Sequence, residues 1–171
     1  NAINTVNTFL NTLPHCGFSF GYSYLGNNRF YHYKGADPLY NSSPCWSIFS
    51  QDLFNYNQSV LNSWVMLTIV KSSNTYKYFV NGIEDKTITY SISPLEQLCS
   101  LAIGSKSDGL SEFVTGKIDD ISFYNRSLTP AEITQIYTSQ TSIVQAPCPT
   151  LATNLQTGLV GYWPFCGNAN D

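Results

Sequence analysis

Charge is the scarcest resource of this 171-residue chain. Only 11% of its residues are Asp, Glu, Lys or Arg, against about 25% for an average soluble domain. Eight basic residues lie singly among eleven acidic ones, for a net charge of −3. No basic stripe exists to track a phosphate backbone, which argues against a nucleic-acid partner. No apolar run approaches the roughly 20 residues of a helical membrane span, so membrane insertion is not expected. No Cys-x-x-Cys spacing occurs and the only histidines are His15 and His32, which leaves a zinc site without its usual ligands. Gly17-Phe18-Ser19-Phe20-Gly21 matches Gly-x-Ser-x-Gly in letters, but it lies within an alternating strand pattern instead of at the strand-to-helix turn that a nucleophile elbow needs, so the common hydrolase signature does not apply. Asn1-Ala2-Ile3-Asn4 shows neither an initiator Met nor a signal-peptide pattern, and the expectation is a mature or excised fragment.

Apolar and uncharged polar residues fill the space that charge leaves. Hydrophobic residues make up 43% and aromatics 15%, with 12 Tyr and 10 Phe, a balance that suits packed sheets better than a helical bundle. Asn, Ser and Thr together number 51, so the surface hydrogen-bonds without carrying charge. Five cysteines, Cys16, Cys45, Cys99, Cys148 and Cys166, fit disulfides in an oxidising, extracellular setting better than metal binding. Sequence does not fix their pairing. Cys16 with Cys45 is the favoured intrachain pair, and the odd number leaves at least one thiol free or paired outside this fragment.

Period-two patterns dominate. Phe18, Phe20, Tyr22 and Tyr24 alternate with small residues, and Arg29 to Tyr33 returns after Gly26-Asn27-Asn28, which predicts strand, turn, strand over 17–34. A loop is expected over 35–44, a short strand over 46–49 and a loop over 52–62. Trp64 to Val70 is continuously apolar and predicts a central strand covered on both faces. Asn81-Gly82 between two apolar runs predicts a type I′ hairpin turn, whose two central positions need positive φ. Strands are further expected over 98–104 and 117–124. Thr129, Pro130 and Glu132 make a capping box with proline at the first helical position. Ile133, Ile136 and Tyr137 share one face of the short helix that follows, which must pack on a sheet because so short a helix does not stand alone. Periodicity fades over 138–157, and Gly158 to Phe165 reads as a new strand.

Four stretches carry a family resemblance: Trp64 to Thr68; Tyr78-Phe79-Val80-Asn81-Gly82; Leu101-Ala102-Ile103-Gly104; and Gly116 to Ile133, which includes Ile118-Asp119-Asp120-Ile121-Ser122-Phe123-Tyr124-Asn125-Arg126-Ser127-Leu128-Thr129-Pro130. In their order and spacing they resemble the laminin-G-like, concanavalin-A-like domains of bacterial surface and secreted proteins. The resemblance implies an all-β, antiparallel two-sheet jelly-roll sandwich with one short C-terminal helix. Gly158 to Asp171 resembles the opening strand of the same kind of domain. The implied organisation is a sandwich over 1–139 that lacks its first strands, a linker over 140–157, and the start of a following repeat over 158–171. The missing strands would be supplied by the tail strand or by a neighbouring chain, since a half-covered core with open edges aggregates.

The resemblance also implies loops able to hold Ca²⁺ through hard oxygen ligands, with Asn168, Asn170 and Asp171 as one candidate set and Asp108 as another. Ordinary Asn/Asp/Gly turns compete with that reading. Tyr31, Tyr33, Tyr40 and Trp46 are candidate sugar-stacking residues, although alternation turns about half of such side chains inward. Asp119 and Asp120, adjacent on an expected strand, would point to opposite faces and make no acid/base pair. Asp119 is expected to accept backbone hydrogen bonds beside the final strand. The Glu-x-Asp-x-x-Glu strand pattern of glycoside hydrolases with this fold does not occur. The resulting expectation is a non-catalytic, extracellular adhesion or carbohydrate-binding module, with glycans, surface proteins or neighbouring repeats of a homopolymer as partners. The alternative is a structural repeat of a stalk or filament, completed by strand exchange.

Overall fold

The computed structural model describes residues 7–12, 19–22, 29–34, 50–56, 63–90, 101–105, 111–141 and 151–164. The chain forms two compact units, Asn1–Ser59 with Thr89–Lys117, and Val60–Ile88 with Ile118–Asp171. The fold is all-β with antiparallel sheets and few helices, the class that the sequence predicts.

The first unit is a five-stranded sheet of β1 (Asn7–Thr12), β2 (Ser19–Tyr22), β3 (Phe30–Lys34), β4 (Ser50–Leu53) and β8 (Leu101–Ile103), in the order β4-β3-β2-β1-β8. β2 and β3 form the expected antiparallel pair, with Ser19 opposite Tyr33 and Tyr22 opposite Phe30. β4 pairs with β3 over residues 50–53, so the strand runs into a stretch whose polarity reads as loop. The strand expected over 46–49 lies outside the described residues. Phe20, Phe30, Tyr31 and Phe54 are buried. Phe54 contacts Phe20 and Phe30 at 5.9 Å between ring centroids, the spacing of a favourable tilted or edge-on pair. Arg29 Nε donates to the Phe54 carbonyl at 2.7 Å and ties the end of β4 back to β3.

In the second unit a three-stranded meander contains β5 (Leu67–Ser72), β6 (Thr75–Val80) and β7 (Ile83–Thr89). β6 occupies the centre, with Tyr76, Tyr78, Phe79 and Val80 buried. This corrects the expectation for 64–70. β5 flanks β6, Val70 alone within the strand is fully buried, and Trp64 is exposed ahead of it. The apolar run is continuous for another reason: its residues serve both the strand and the helix seat, since Met66 packs on the cluster of Val70, Phe79 and Ile133. Asn81 and Gly82 take φ of 52° and 80°, as the hairpin turn requires. Asn81 exchanges two bonds with Met66, donating its N–H to the carbonyl at 2.9 Å and accepting from the N–H at Oδ1 at 3.0 Å. β7 presents Glu84, Asp85 and Lys86 in succession, charges that discourage further pairing at a sheet margin.

α1 (Pro130–Thr141) begins as predicted. Thr129 Oγ1 accepts from the Glu132 N–H at 3.3 Å, and Glu132 Oε2 accepts from the Thr129 N–H at 2.8 Å. Ile133 and Ile136 are buried, and Ile133 reaches Val70 and Phe79, so α1 lies on the β5–β6 hairpin. Thr134 Oγ1 donates to the Gly82 carbonyl at 3.1 Å. The final strand β9 (Ile121–Tyr124) is shorter than the expected 117–124. Asp120 has φ of 52°, a left-handed conformation that interrupts an extended run. A single helical turn, α2 (Thr153–Gln156), lies within the stretch expected as linker. β10 (Leu159–Trp163), expected to open a following repeat, pairs antiparallel with β9 in the same unit, with Trp163 opposite Ile121 and a bulge between Leu159 and Gly161.

Candidate functional site

Of the sugar-stacking candidates, the structure places Tyr31 in the core. Tyr31 is 1% exposed and therefore a core residue, with no ring face for a ligand. Alternation fails there because Phe30, Tyr31 and His32 are consecutively buried, which covers both faces of β3. Tyr33 stands in β3 opposite Gln51 and Ser19. Tyr40 and Trp46 lie outside the described residues, as do Cys16, Cys45 and the calcium candidates Asp108, Asn168, Asn170 and Asp171. Among the described residues no group of three or more His, Cys, Asp or Glu is placed to hold a metal ion.

A different cluster forms at one end of the β9–β10 ribbon. Asp119 and Asp120 precede β9 instead of lying on it, and Asp119 Oδ1 accepts from the Asp120 N–H at 2.9 Å, the backbone-directed role expected for Asp119. Tyr162 donates its hydroxyl to Asp120 Oδ1 at 3.5 Å. Burial, then the Asp119 charge, raises the Asp120 carboxyl above the ordinary aspartate value. Burial, then the Asp120 charge, pushes the Tyr162 phenol up to about 12. Trp163 stands opposite Ile121, one residue beyond Asp120. It is 37% exposed and meets Phe123 edge-on at 6.0 Å and 84°. Gly161 makes room for it, because a Cβ there would come within 2.5 Å of the indole rim. Tyr162 and Trp163 are consecutive on β10 and so project to opposite faces of it: the phenol meets Asp120 on one face, and the exposed indole lies against Phe123 on the other. Aromatic density around Tyr162 and Trp163 was the only local signal, and the long-range β9–β10 pairing that brings Asp120 to Tyr162 leaves no mark in either segment alone.

At the other end, Arg126 organises three elements. It forms a bidentate pair with Glu132, at 3.0 Å from Nη1 to Oε2 and 2.7 Å from Nη2 to Oε1. Its Nε donates to the Thr157 carbonyl at 2.7 Å, and Nη2 to the Asn154 carbonyl at 3.2 Å. Its guanidinium also lies over the Tyr124 ring at 5.9 Å. Bidentate geometry raises such a pair above the usual weak surface ion pair. The Arg126 hydrogen bonds, then the Thr129 N–H, lower the Glu132 carboxyl from 4.5 to about 2. A depressed carboxylate contributes stability that is full above its unfolded value and lost as pH falls through its folded value. Thermal unfolding of the native chain should therefore decline between pH 4.5 and about 2 more steeply than that of Glu132→Gln. Parallel acid limbs in melts taken at stepped pH would remove Glu132 from the clasp.

No curated protein sequence matches the chain. Among solved structures, an S-layer domain-containing protein from Clostridium thermocellum ATCC 27405 (its residues 221–444) is similar at 12% identity and a TM-score of 0.38, covering 80% of this chain and 65% of that one. The profile of the laminin-G-type group described as the Concanavalin A-like lectin/glucanases superfamily matches residues 11–134, from within β1 into α1. This chain belongs to the Concanavalin A-like lectin/glucanases superfamily.

Proposed function

We propose that this chain is a non-catalytic carbohydrate-binding or adhesion module of a secreted or cell-surface protein, with a glycan received on the exposed Trp163 ring at the end of β10. One observation carries the reading: the indole of Trp163 is exposed at the end of β10. A pyranose offers an apolar face to stack, and an exposed indole is a partner for it. The family description, which names lectins and glucanases, supports carbohydrate as the ligand class.

Binding is favoured over hydrolysis by how the carboxylates are used. Glycoside hydrolysis needs an acid and a base or nucleophile on either side of the scissile bond, about 5–9.5 Å apart. Asp119 is committed to the Asp120 amide and Asp120 to Tyr162, and Glu132 to Arg126 and the helix cap. The uncharged, Asn/Ser/Thr-rich composition supports an extracellular setting, and no helix among the described residues is long and apolar enough to cross a membrane.

A glycan array probed with the full chain, with and without Ca²⁺, tests the reading. Selective binding is expected, and Trp163→Ala should weaken it about tenfold or more, the usual loss when an aromatic anchor is truncated. The calcium arm tests whether a loop site contributes. Silence on the array under both conditions would end the carbohydrate reading. Release of reducing ends from a polysaccharide panel would make the protein an enzyme.

A further inference from the structure

The turn between β6 and β7 is the single Asn-Gly dipeptide of the chain. Asparagine is a thermolabile residue, and a following glycine, with no side chain to shield its nitrogen, leaves it most open to attack. Water is the only co-reactant the chemistry needs. The Gly82 main-chain nitrogen attacks Asn81 Cγ, the new N–Cγ bond closes a succinimide ring, and Nδ2 leaves as ammonia with the Gly82 proton. Water then opens the ring at either carbonyl. Breaking the new N–Cγ bond restores the main chain and leaves an aspartate side chain. Breaking the original peptide bond instead gives isoaspartate, whose main chain runs through Cγ and is longer by one methylene.

The folded turn opposes each part of that reaction. Asn81 and Gly82 take φ of 52° and 80°, the left-handed pair of a hairpin turn, and ring closure requires their shared peptide to swing out of it. Asn81 is held to the neighbouring strand at two points. Its Oδ1 accepts from the Met66 N–H at 3.0 Å, and its own N–H donates to the Met66 carbonyl at 2.9 Å. Gly82 is buried, and its carbonyl accepts from Thr134 Oγ1 of α1 at 3.1 Å. A Cβ on Gly82 would stand 3.2 Å from Tyr137 Cβ and 3.4 Å from Thr134 Cα. The peptide that must rotate is therefore pressed beneath the helix.

We propose that Asn81 is a deamidation site gated by α1, which reacts only when the hairpin end opens and which, as isoaspartate, keeps the helix from seating again. The clearance between Gly82 and α1 leaves no room for an added main-chain methylene. A turn lengthened there pushes α1 off, and Ile133 loses its place against Val70 and Phe79. Each opening thus risks a one-way change in the module. The gate involves neither Trp163 nor a glycan, so it stands apart from the binding function.

Peptide mapping by mass on the full chain, aged at mildly alkaline pH, tests the proposal. Native Asn81 should deamidate about tenfold or more slowly than in the same chain unfolded in urea, and the ratio should match the hydrogen-exchange protection of the Asn81 amide, since one opening exposes both. Thr134→Val removes the exposed hydroxyl that binds the Gly82 carbonyl and should raise the native rate roughly two- to tenfold, the effect of losing one ordinary hydrogen bond. In chains isolated as the isoaspartate form, the Ile133 amide, which donates to the Thr129 carbonyl in the first turn of α1, should lose protection, because so short a helix does not hold without its seat. A native rate equal to the unfolded one, an unchanged rate in Thr134→Val, or a protected Ile133 amide in the isoaspartate form would overturn the proposal.

Discussion

Phe79→Ala should lower the unfolding free energy by about 3–5 kcal/mol, the range for truncating a fully buried phenylalanine. Phe79 is 1% exposed at the centre of the meander, and its cluster partners are Val70 on β5 and Ile133 on α1. Removing the ring takes the contact away from three elements at once. None of them can close the gap easily, because the Asn81–Met66 bonds pin the hairpin end and the Glu132–Thr129 box pins the helix start. The loss should appear as a lower denaturant midpoint at unchanged slope. Ile83→Ser serves as the control. Ile83 is 74% exposed, and a surface change of that kind stays within about 0.5 kcal/mol. A Phe79→Ala cost near that of the control would mean that α1 is not what closes this core.

What could be read in advance was local chemistry, and what could not was pairing at a distance. The Asn81-Gly82 turn and the Thr129–Glu132 box are contained within a few residues, and both form as expected. β1 and β4 escaped notice because Asn-Thr-Phe-Leu-Asn-Thr and Ser-Gln-Asp-Leu carry little alternation. They are strands because they sit beside β2 and β8, and beside β3. The same limit explains β5, whose apolar run suggests a central strand although β6 holds the centre. Tyr31 was a sugar-stacking candidate, and alternation warned that about half of such side chains turn inward; with Phe30, Tyr31 and His32 all buried, Tyr31 is a core residue. Trp163 became a candidate only once β10 was seen beside β9. Arg126 was legible as part of a family motif, but its grip on carbonyls 28 and 31 residues away was not.

Gly158→Ala should release that grip without unfolding the meander. Gly158 has φ of 73°, where an alanine costs roughly 1–2 kcal/mol from backbone strain alone. Its Cβ would also stand 2.8 Å from both Arg126 Cγ and Asn125 Oδ1, closer than real contacts allow. Arg126 is a flexible side chain and can retreat. Retreat, however, draws its guanidinium away from the Thr157 and Asn154 carbonyls and from Glu132. Strain and lost contacts together should bring the cost to about 2–4 kcal/mol. That cost should be paid locally, as undocking of residues 151–164. Hydrogen exchange is the direct measurement. The Asn125 amide, which donates to the Gly158 carbonyl, should lose at least tenfold in protection, while β5–β6 ladder amides such as Val70 and Phe79 keep theirs. Gly161→Ala makes the informative contrast. Its obstacle is the Trp163 ring, the far end of a rotatable side chain, so displaced indole fluorescence with Asn125 still protected is expected. Native protection at Asn125 in Gly158→Ala would show that the tail is held by the β9 ladder alone, with Arg126 a bystander.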